Sequence, residues 1–304
     1  MEDRGRRRHL EAQPMKPLLQ RRRALTLLAA SILLVSQSSC HRNSPSAADP
    51  VKVAIIGGFM TTGMWEAVTA EFTRETGIPV EVVSTGPKEI IDTAFRKGGI
   101  DLITMHSSDV ATNLVADGLG VAMRPWARNE LVIVGPSDDP ARIRGLKSGA
   151  EAVARIAAAK ASFVEARNVG SQTVCARLWK LAGIHPEGGW LIPDESPAPQ
   201  RVVEFASARH AYVIVGRIPM LSGKIPNAGM EILVEGDPEM RRPYVVIEAN
   251  PAKRLGNNPA GAKKLADFLT SPAGQIALSR FAERQGGNAP IFYPVAPVNT
   301  THQG

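Results

Sequence analysis

Cysteine is nearly absent: the 304 residues contain two, Cys40 and Cys175. Two cysteines make no disulfide framework, and no cysteine–histidine spacing of a zinc site occurs. Cys175 sits inside a helical pattern and reads as a buried small apolar residue rather than a nucleophile. Also missing are the Gly-x-Ser-x-Gly elbow, the phosphate-binding Walker loop, the Cys-x-x-Cys pair and the His-Glu-x-x-His helix. Gly57-Gly58 follows a strand as in dinucleotide loops, but the third glycine is missing at the needed spacing. These absences argue against an enzyme and against a resident metal or cofactor. A basic folded surface is lacking too. The formal net charge is +7, yet Arg4, Arg6, Arg7, Arg8, Lys16, Arg21, Arg22 and Arg23, set against Glu2, Asp3 and Glu11, place +5 of it in the first 23 residues. Nucleic acid is therefore not the expected partner, since it requires basic residues concentrated on the folded body.

What is present begins with a leader. A basic stretch ends at Arg23, Ala24 to Val35 is apolar, and small and polar residues lead to Cys40. This is the order of a secretory signal, and the apolar run is too short for an ordinary spanning helix; an uncleaved anchor is the alternative. Arg22-Arg23 resembles a twin-arginine signal, and Met15 is a second candidate start. Cys40 follows Ser38-Ser39, where a bacterial lipoprotein carries its lipidated cysteine, although Gln37 replaces the usual aliphatic residue. Lipid attachment at Cys40 and cleavage elsewhere both stay open. Residues 1–40 thus read as a leader and 41–50 as a polar linker, which puts the mature chain in the periplasm or otherwise outside the cytoplasm.

The body alternates strands and helices. Val51 to Ile56 is a buried strand, and Thr61-Thr62-Gly63 precedes a helix with Trp65, Val68 and Phe72 on one face. Ile78 to Val83 is a second strand; Pro87 opens a helix with Ile90, Ile91, Ala94 and Phe95 facing inward, and Ile100 to Met105 is a third strand. Such β-α-β-α-β order predicts an open parallel sheet covered on both faces, with ligand loops at the carboxyl ends of its strands: Gly57 to Thr62, Ser84 to Pro87 and His106 to Asp109. Leu131 to Val134 is a further strand. A second α/β block follows, with helices at Ala150 to Lys160, Ser171 to Ala182 and Arg201 to Arg209 and strands at Ala161 to Glu165 and Ala211 to Val215. Strands at Glu231 to Val234 and Tyr244 to Glu248 precede helices at Pro259 to Leu269 and Pro272 to Arg284. The expected architecture is two α/β lobes joined by a two-strand hinge: 51–135 plus 235–304 form the first and 136–234 the second. A cleft between hinged lobes encloses a small ligand.

Several segments resemble the substrate-binding proteins of bacterial tungstate ABC transporters. They are "LVIVGPSDDPARI" (Leu131 to Ile143), "ASFVEARNVGSQTVCARLWKLAGIHPEGGW" (Ala161 to Trp190), "AYVIVGR" (Ala211 to Arg217) and "ILVEGDPEMRRPYVVIEANP" (Ile232 to Pro251). "GIDLITMH" (Gly99 to His106) and "SPAGQIALSRF" (Ser271 to Phe281) agree as well. The resemblance covers nearly the whole mature chain. It implies a periplasmic-binding-protein-like fold of type II, a small oxyanion ligand, an ABC permease as membrane partner, and a monomer. The ligand loops depart from the family. The first carries only Thr61 and Thr62 where the family has a run of hydroxyl residues. In "EARNVGSQ" (Glu165 to Gln172), Asn168 falls near an acidic position and Gly170-Ser171 matches a Gly-Thr pair. A family arginine near the crossover falls at Met123, beside Arg124.

Tungstate and molybdate are tetrahedral dianions with no proton to donate, so their site needs donors: hydroxyls, backbone N–H groups and guanidinium. Gly170-Ser171 at a helix start is expected to supply N–H groups, a hydroxyl and the positive end of the helix dipole. Thr61, Thr62, Ser84 and Thr85 add hydroxyls from the first lobe; Asn168, Ser171 and Arg217 form the opposite wall. Each has an ordinary alternative. Ser171, Thr61 and Thr62 stand where N-caps stand, Arg217 suits an interlobe salt bridge, and His106 suits a packed or solvated histidine. Trp65, Phe163 and Trp179 fall at core spacing. A proton-bearing anion such as hydrogen phosphate would want an acceptor carboxylate, which neutral Asn168 does not supply.

Overall fold

The computed structural model describes residues 48–285 and 290–295. The expected leader, with its lipidation candidate Cys40, and most of the 41–50 linker lie outside the described residues.

The chain opens with β1 (Val51–Ile56), α1 (Gly57–Thr62), α2 (Met64–Thr76), β2 (Val80–Gly86), α3 (Lys88–Lys97), β3 (Leu102–His106), α4 (Asp109–Ala116) and the long β4 (Gly120–Gly135). It continues through α5 (Gly149–Ala159), β5 (Phe163–Glu165), α6 (Val169–Leu181), β6 (Leu191–Pro193), α7 (Val202–Ser207), β7 (Tyr212–Gly216), α8 (Arg217–Leu221) and β8 (Glu231–Val234). It ends with β9 (Arg241–Ala249), α9 (Pro259–Thr270), α10 (Pro272–Gln285) and β10 (Tyr293–Pro294). No helix among the described residues is long and apolar enough to cross a membrane.

The strands run in the order β2-β1-β3-β9-β4-β7-β5-β6, with β8 and β10 also paired to β4. β1 pairs in parallel with β2 and β3, and β5 in parallel with β6 and β7. Between these parallel halves, β9 and β4 run antiparallel to each other and to their outer neighbours. The two crossover strands read in the sequence are thus present, and the chain has the mixed α/β fold of two lobes that its patterning implied.

Strand alternation distributes the core. On β9, Tyr244 and Val246 enter one buried cluster with Trp65, Phe72 and Trp126, while Val245 and Ile247 enter another with Ile91, Phe95 and Ile103. On β4, Leu131 and Ile133 pack with Phe163, Leu178 and Trp179, while Val132 and Val134 face Val203, Val213 and Val215. Each parallel half is therefore apolar on both faces, which is why its strands read as continuous hydrophobic runs.

Two local differences from the sequence reading matter for the site. Gly57 to Thr62 is not a loop but the short helix α1, closed by Gly63 at φ 72° before α2 begins. β4 starts eleven residues before the apolar run that signals it, since Leu131 follows Gly120 by that interval. Its first half carries Pro125, register shifts at Val121/Arg124 and Pro125/Ala127, and Ala122 at φ 52°. Such bulges erase the alternation by which a strand is recognised.

On the back of the crossover pair lies a buried charge cluster. Arg217 Nε donates to Glu235 Oε2 at 2.8 Å and stands 3.3 Å from Glu130 Oε1, with Arg217 and Glu130 3% and 0% exposed. Glu130 Oε2 accepts from the Gly236 N–H, and Arg217 Nη1 reaches the Pro290 carbonyl. A buried pair tolerates loss of both charges far better than loss of one. Arg217→Ala should therefore lower the unfolding free energy by about 3–5 kcal/mol in urea titrations at neutral pH. The deficit should shrink on acidification, because burial raises the Glu130 carboxyl and the stranded acid then becomes neutral.

Candidate functional site

The cleft floor is built by register. In the antiparallel ladder Asn129 of β4 lies opposite Arg242 of β9, and His106 of β3 lies opposite Tyr244 of β9. Opposed residues share a face, and so do residues two apart, so these four side chains form one block. The His106 ring stacks on Tyr244, with centroids 4.1 Å apart, and His106 Nε2 lies 3.2 Å from Asn129 Oδ1. Burial, then the charge of Arg242, holds His106 at about 3, below its ordinary 6.5, so the ring is neutral at physiological pH.

Two adjoining cavities open over this floor. The first, about 430 Å³, is walled by Ile56 to Gly58 after β1, Gly86 to Glu89 after β2, Val169 and Gly170 of α6, and Ile218 and Pro219 of α8. The second, about 240 Å³, extends toward Ser171, Asp194 and Gln200. His106, Asn129, Asn168, Lys224 and Arg242 line both. Strand ends from both halves of the sheet thus meet here, as open α/β sheets require.

The charge in the cleft is positive. Lys88, Lys224 and Arg242 line the first cavity against one carboxylate, the exposed Glu89. Among the described residues none of these cations is ion-paired. Burial, with Arg177 nearby, pulls the Arg242 guanidinium below its usual range. That guanidinium lies on Gly170: a Cβ there would stand 2.7 Å from Arg242 Cζ and closer still to Nη1. Glycine at 170 is what lets the cation approach the start of α6. Asp194, in the second cavity, is satisfied by N–H groups of Ser196 and Arg167. Burial raises its carboxyl, but these bonds outweigh that and leave it below the usual range. The described residues hold no group of three or more His, Cys, Asp or Glu able to bind a metal.

The expected contact residues separate. Thr61 and Asn168 line the first cavity, and Asn168 and Ser171 the second. Thr62 faces a side cavity with Leu221 and Ile291. Ser84 and Thr85, on β2, stand one or two residues short of the cleft wall that Gly86 forms, and Arg217 is held in the buried cluster behind it. The hydroxyls expected as donors are spent inside α1: Thr61 donates to the Gly57 carbonyl at 3.0 Å and Thr62 to that of Gly58 at 2.9 Å. The N–H groups expected free at Gly170 and Ser171 are capped, since both donate to Asn168 Oδ1. Asn168, not Ser171, is the N-cap of α6. Sequence reading missed Lys88, Asn129, Lys224, Arg242 and Tyr244. Arg242 stands in a segment that carries the family resemblance, two residues before an apolar strand, and that was its only signal.

A cleft of this construction, between two α/β halves joined by antiparallel crossover strands, defines a small-solute-binding protein. A family model described as bacterial extracellular solute-binding protein matches residues 51–281, and the chain belongs to that family. It is 33% identical over 241 residues, 77% of this chain and 69% of the relative, to a Haloferax volcanii protein designated a candidate ABC transporter anion-binding protein. It is 29% identical over 238 residues, 77% of this chain and 82% of the relative, to the tungstate-binding protein TupA of Peptoclostridium acidaminophilum. Among solved structures, the tungstate-binding protein TupA of Desulfovibrio alaskensis G20 superposes with a TM-score of 0.66 at 25% identity, covering 83% of this chain and all 100% of that one.

Histidine 106 makes stability depend on pH with a definite sign. Held at about 3 in the fold and near 6.5 when unfolded, it contributes stability fully above about 6.5 and loses it as pH falls toward 3. The parent should lose up to about 1.4 kcal/mol per pH unit across that window relative to His106→Gln, as urea midpoints of the two proteins will show.

Proposed function

We propose that this protein captures a tungstate- or molybdate-type oxyanion outside the cytoplasm and hands it to an ABC transporter, without turnover. The observation that carries this is the cleft's excess of cations: Lys88, Lys224 and Arg242 against one exposed carboxylate, with no ion pair among the described residues to neutralise them. Leaving a half-buried arginine without a carboxylate is costly unless a ligand supplies the negative charge. The relatives named for anion and tungstate binding support the same ligand class.

In this reading residues 51–135 plus 235–304 and residues 136–234 are two lobes that close about β4 and β9. Lys88 approaches the anion from the first, Asn168, Ser171 and Lys224 from the second, and Asn129 and Arg242 from the hinge. A ligand that touches both lobes favours the closed state by its differential affinity. The protein acts as a monomer against its permease, and Cys40 tethers it to the membrane through lipid.

Calorimetry with tungstate, molybdate, sulfate and phosphate tests the ligand. Arg242→Ala should weaken tungstate binding about tenfold to a hundredfold, the worth of one or two hydrogen bonds to a charged group, and flatten its salt dependence. Gly170→Ala, which displaces the guanidinium without removing charge, should weaken it in the same direction. Absence of tungstate and molybdate binding by the parent would sink the reading. For the tether, Cys40→Ala should move the protein from the membrane fraction to the soluble extracytoplasmic fraction; a parent already soluble there refutes lipidation.

A further inference from the structure

A third cavity, of about 390 Å³, lies within the second lobe, where α6 packs on β5 and β6. Phe163, Ile214 and Trp179 make it apolar, and the Phe163 and Trp179 rings meet edge to face with centroids 5.6 Å apart. Side chains alternate along a strand, so Glu165 shares the α6 face of β5 with Phe163, and it lines the same cavity. Among the described residues the Glu165 carboxylate has neither an ion pair nor a hydrogen bond. The other two charges of the wall offset each other: Arg167 pairs with Asp194 and donates to the Ser196 carbonyl. The cavity therefore carries one uncompensated negative charge. It also carries an unused donor. Trp179 is 5% exposed, and among the described residues its Nε1–H meets no oxygen or nitrogen acceptor. The sulfur of Cys175, one turn back on α6, is the weak acceptor beside it. A tryptophan this deeply buried usually gives its N–H a firm partner.

We infer that this cavity is a second ligand site, for a small organic ammonium ion with an apolar body and an oxygen acceptor close to its nitrogen. Glu165 takes the ammonium, the Trp179 N–H donates to the oxygen, and Phe163 and Ile214 cover the apolar part. Both polar groups act on Cys175, so they lie within reach of one short ligand. Charge separates this site from the interlobe cleft. Lys88, Lys224 and Arg242 repel an ammonium there, and Glu165 repels an anion here. Ala166, Ser171 and Asp194 form the wall common to this cavity and the second one. The inference does not depend on the anion reading.

Cys175 is the reporter. Once Cys40 is replaced by alanine it is the chain's one thiol. Burial pushes that thiol up to about 11, with the Trp179 N–H opposing and Glu165 adding to the rise, so it reacts slowly, and a ligand seated on it slows it further. The probes are phenylethanolamine, phenylethanediol and mandelate. They share a ring and a hydroxyl and end in an ammonium, a hydroxyl and a carboxylate. On the mature protein carrying Cys40→Ala, phenylethanolamine should slow maleimide labelling at neutral pH saturably. It should act at a concentration about fivefold or more below that of the diol, the worth of a half-solvated charged hydrogen bond, and mandelate should not act. Glu165→Gln should erase the preference for the amine over the diol. Trp179→Phe keeps a ring against Phe163 and removes the N–H. It should weaken phenylethanolamine to the level of phenethylamine, which lacks the hydroxyl and should bind this variant as it binds the parent. Glu165 is exposed, so Glu165→Gln keeps the fold and carries the test should Trp179→Phe not fold. Labelling unaffected by phenylethanolamine, equal protection by all three probes, or an amine preference that survives Glu165→Gln overturns the inference.

Discussion

The antiparallel pairing of β4 with β9 is the constraint on which the rest of this protein depends. Because opposed residues share a face and successive residues alternate, one register decides what lines the cleft and what lies behind it. Asn129 opposite Arg242 faces the cleft; Glu130 opposite Arg241 faces away. A slip of one residue would exchange them, burying a carboxylate in the cleft and stranding an arginine behind it.

The two faces treat charge oppositely. Behind the ribbon, Arg217 is matched by Glu130 and Glu235, and Arg241 donates to the Gly236 carbonyl while its guanidinium stacks 3.7 Å from the Tyr293 ring centroid. These contacts draw β7, β8 and the C-terminal segment onto the crossover strands. On the cleft face, by contrast, Arg242 has no carboxylate partner among the described residues and is kept close to α6 by Gly170. The fold thus pairs its buried charge where the halves are joined and leaves Lys88, Lys224 and Arg242 of the cleft without an ion pair among the described residues. Neutral His106 belongs to this second arrangement, since a protonated ring would add a cation beside Arg242 with no partner.

Hydrogen-bond direction then sets what the cleft can recognise. A threonine in a helix returns its hydroxyl hydrogen to the carbonyl four residues back, so Thr61 turns lone pairs, not a donor, toward any ligand. Asparagine behaves otherwise, because its two ends are separate atoms. Tie down the oxygen and the nitrogen must face the other way. This is why amides and cations, rather than hydroxyls, form the donor surface.

The sequence by itself determined the α/β class, the boundaries of most buried strands, the pair of crossover strands and the general position of the cleft. Those features follow from local periodicity and from the rule that ligands gather at strand ends, both readable from neighbouring residues. It also brought Asn168 and Ser171 to the cleft, through the resemblance and the helix start. Arg217 had the same local appearance, a charged residue after a strand, yet its partners Glu130 and Glu235 come from other strands, and only their proximity made it a buried salt bridge. Arg242 and Asn129 carried no periodic signal at all; the bulged half of β4 hides the register that sets them face to face. Tertiary structure alone decided which cations are neutralised and which line the cleft without an ion pair among the described residues, because charge pairing depends on distance through space, and that distance is fixed by pairing between strands more than a hundred residues apart in sequence.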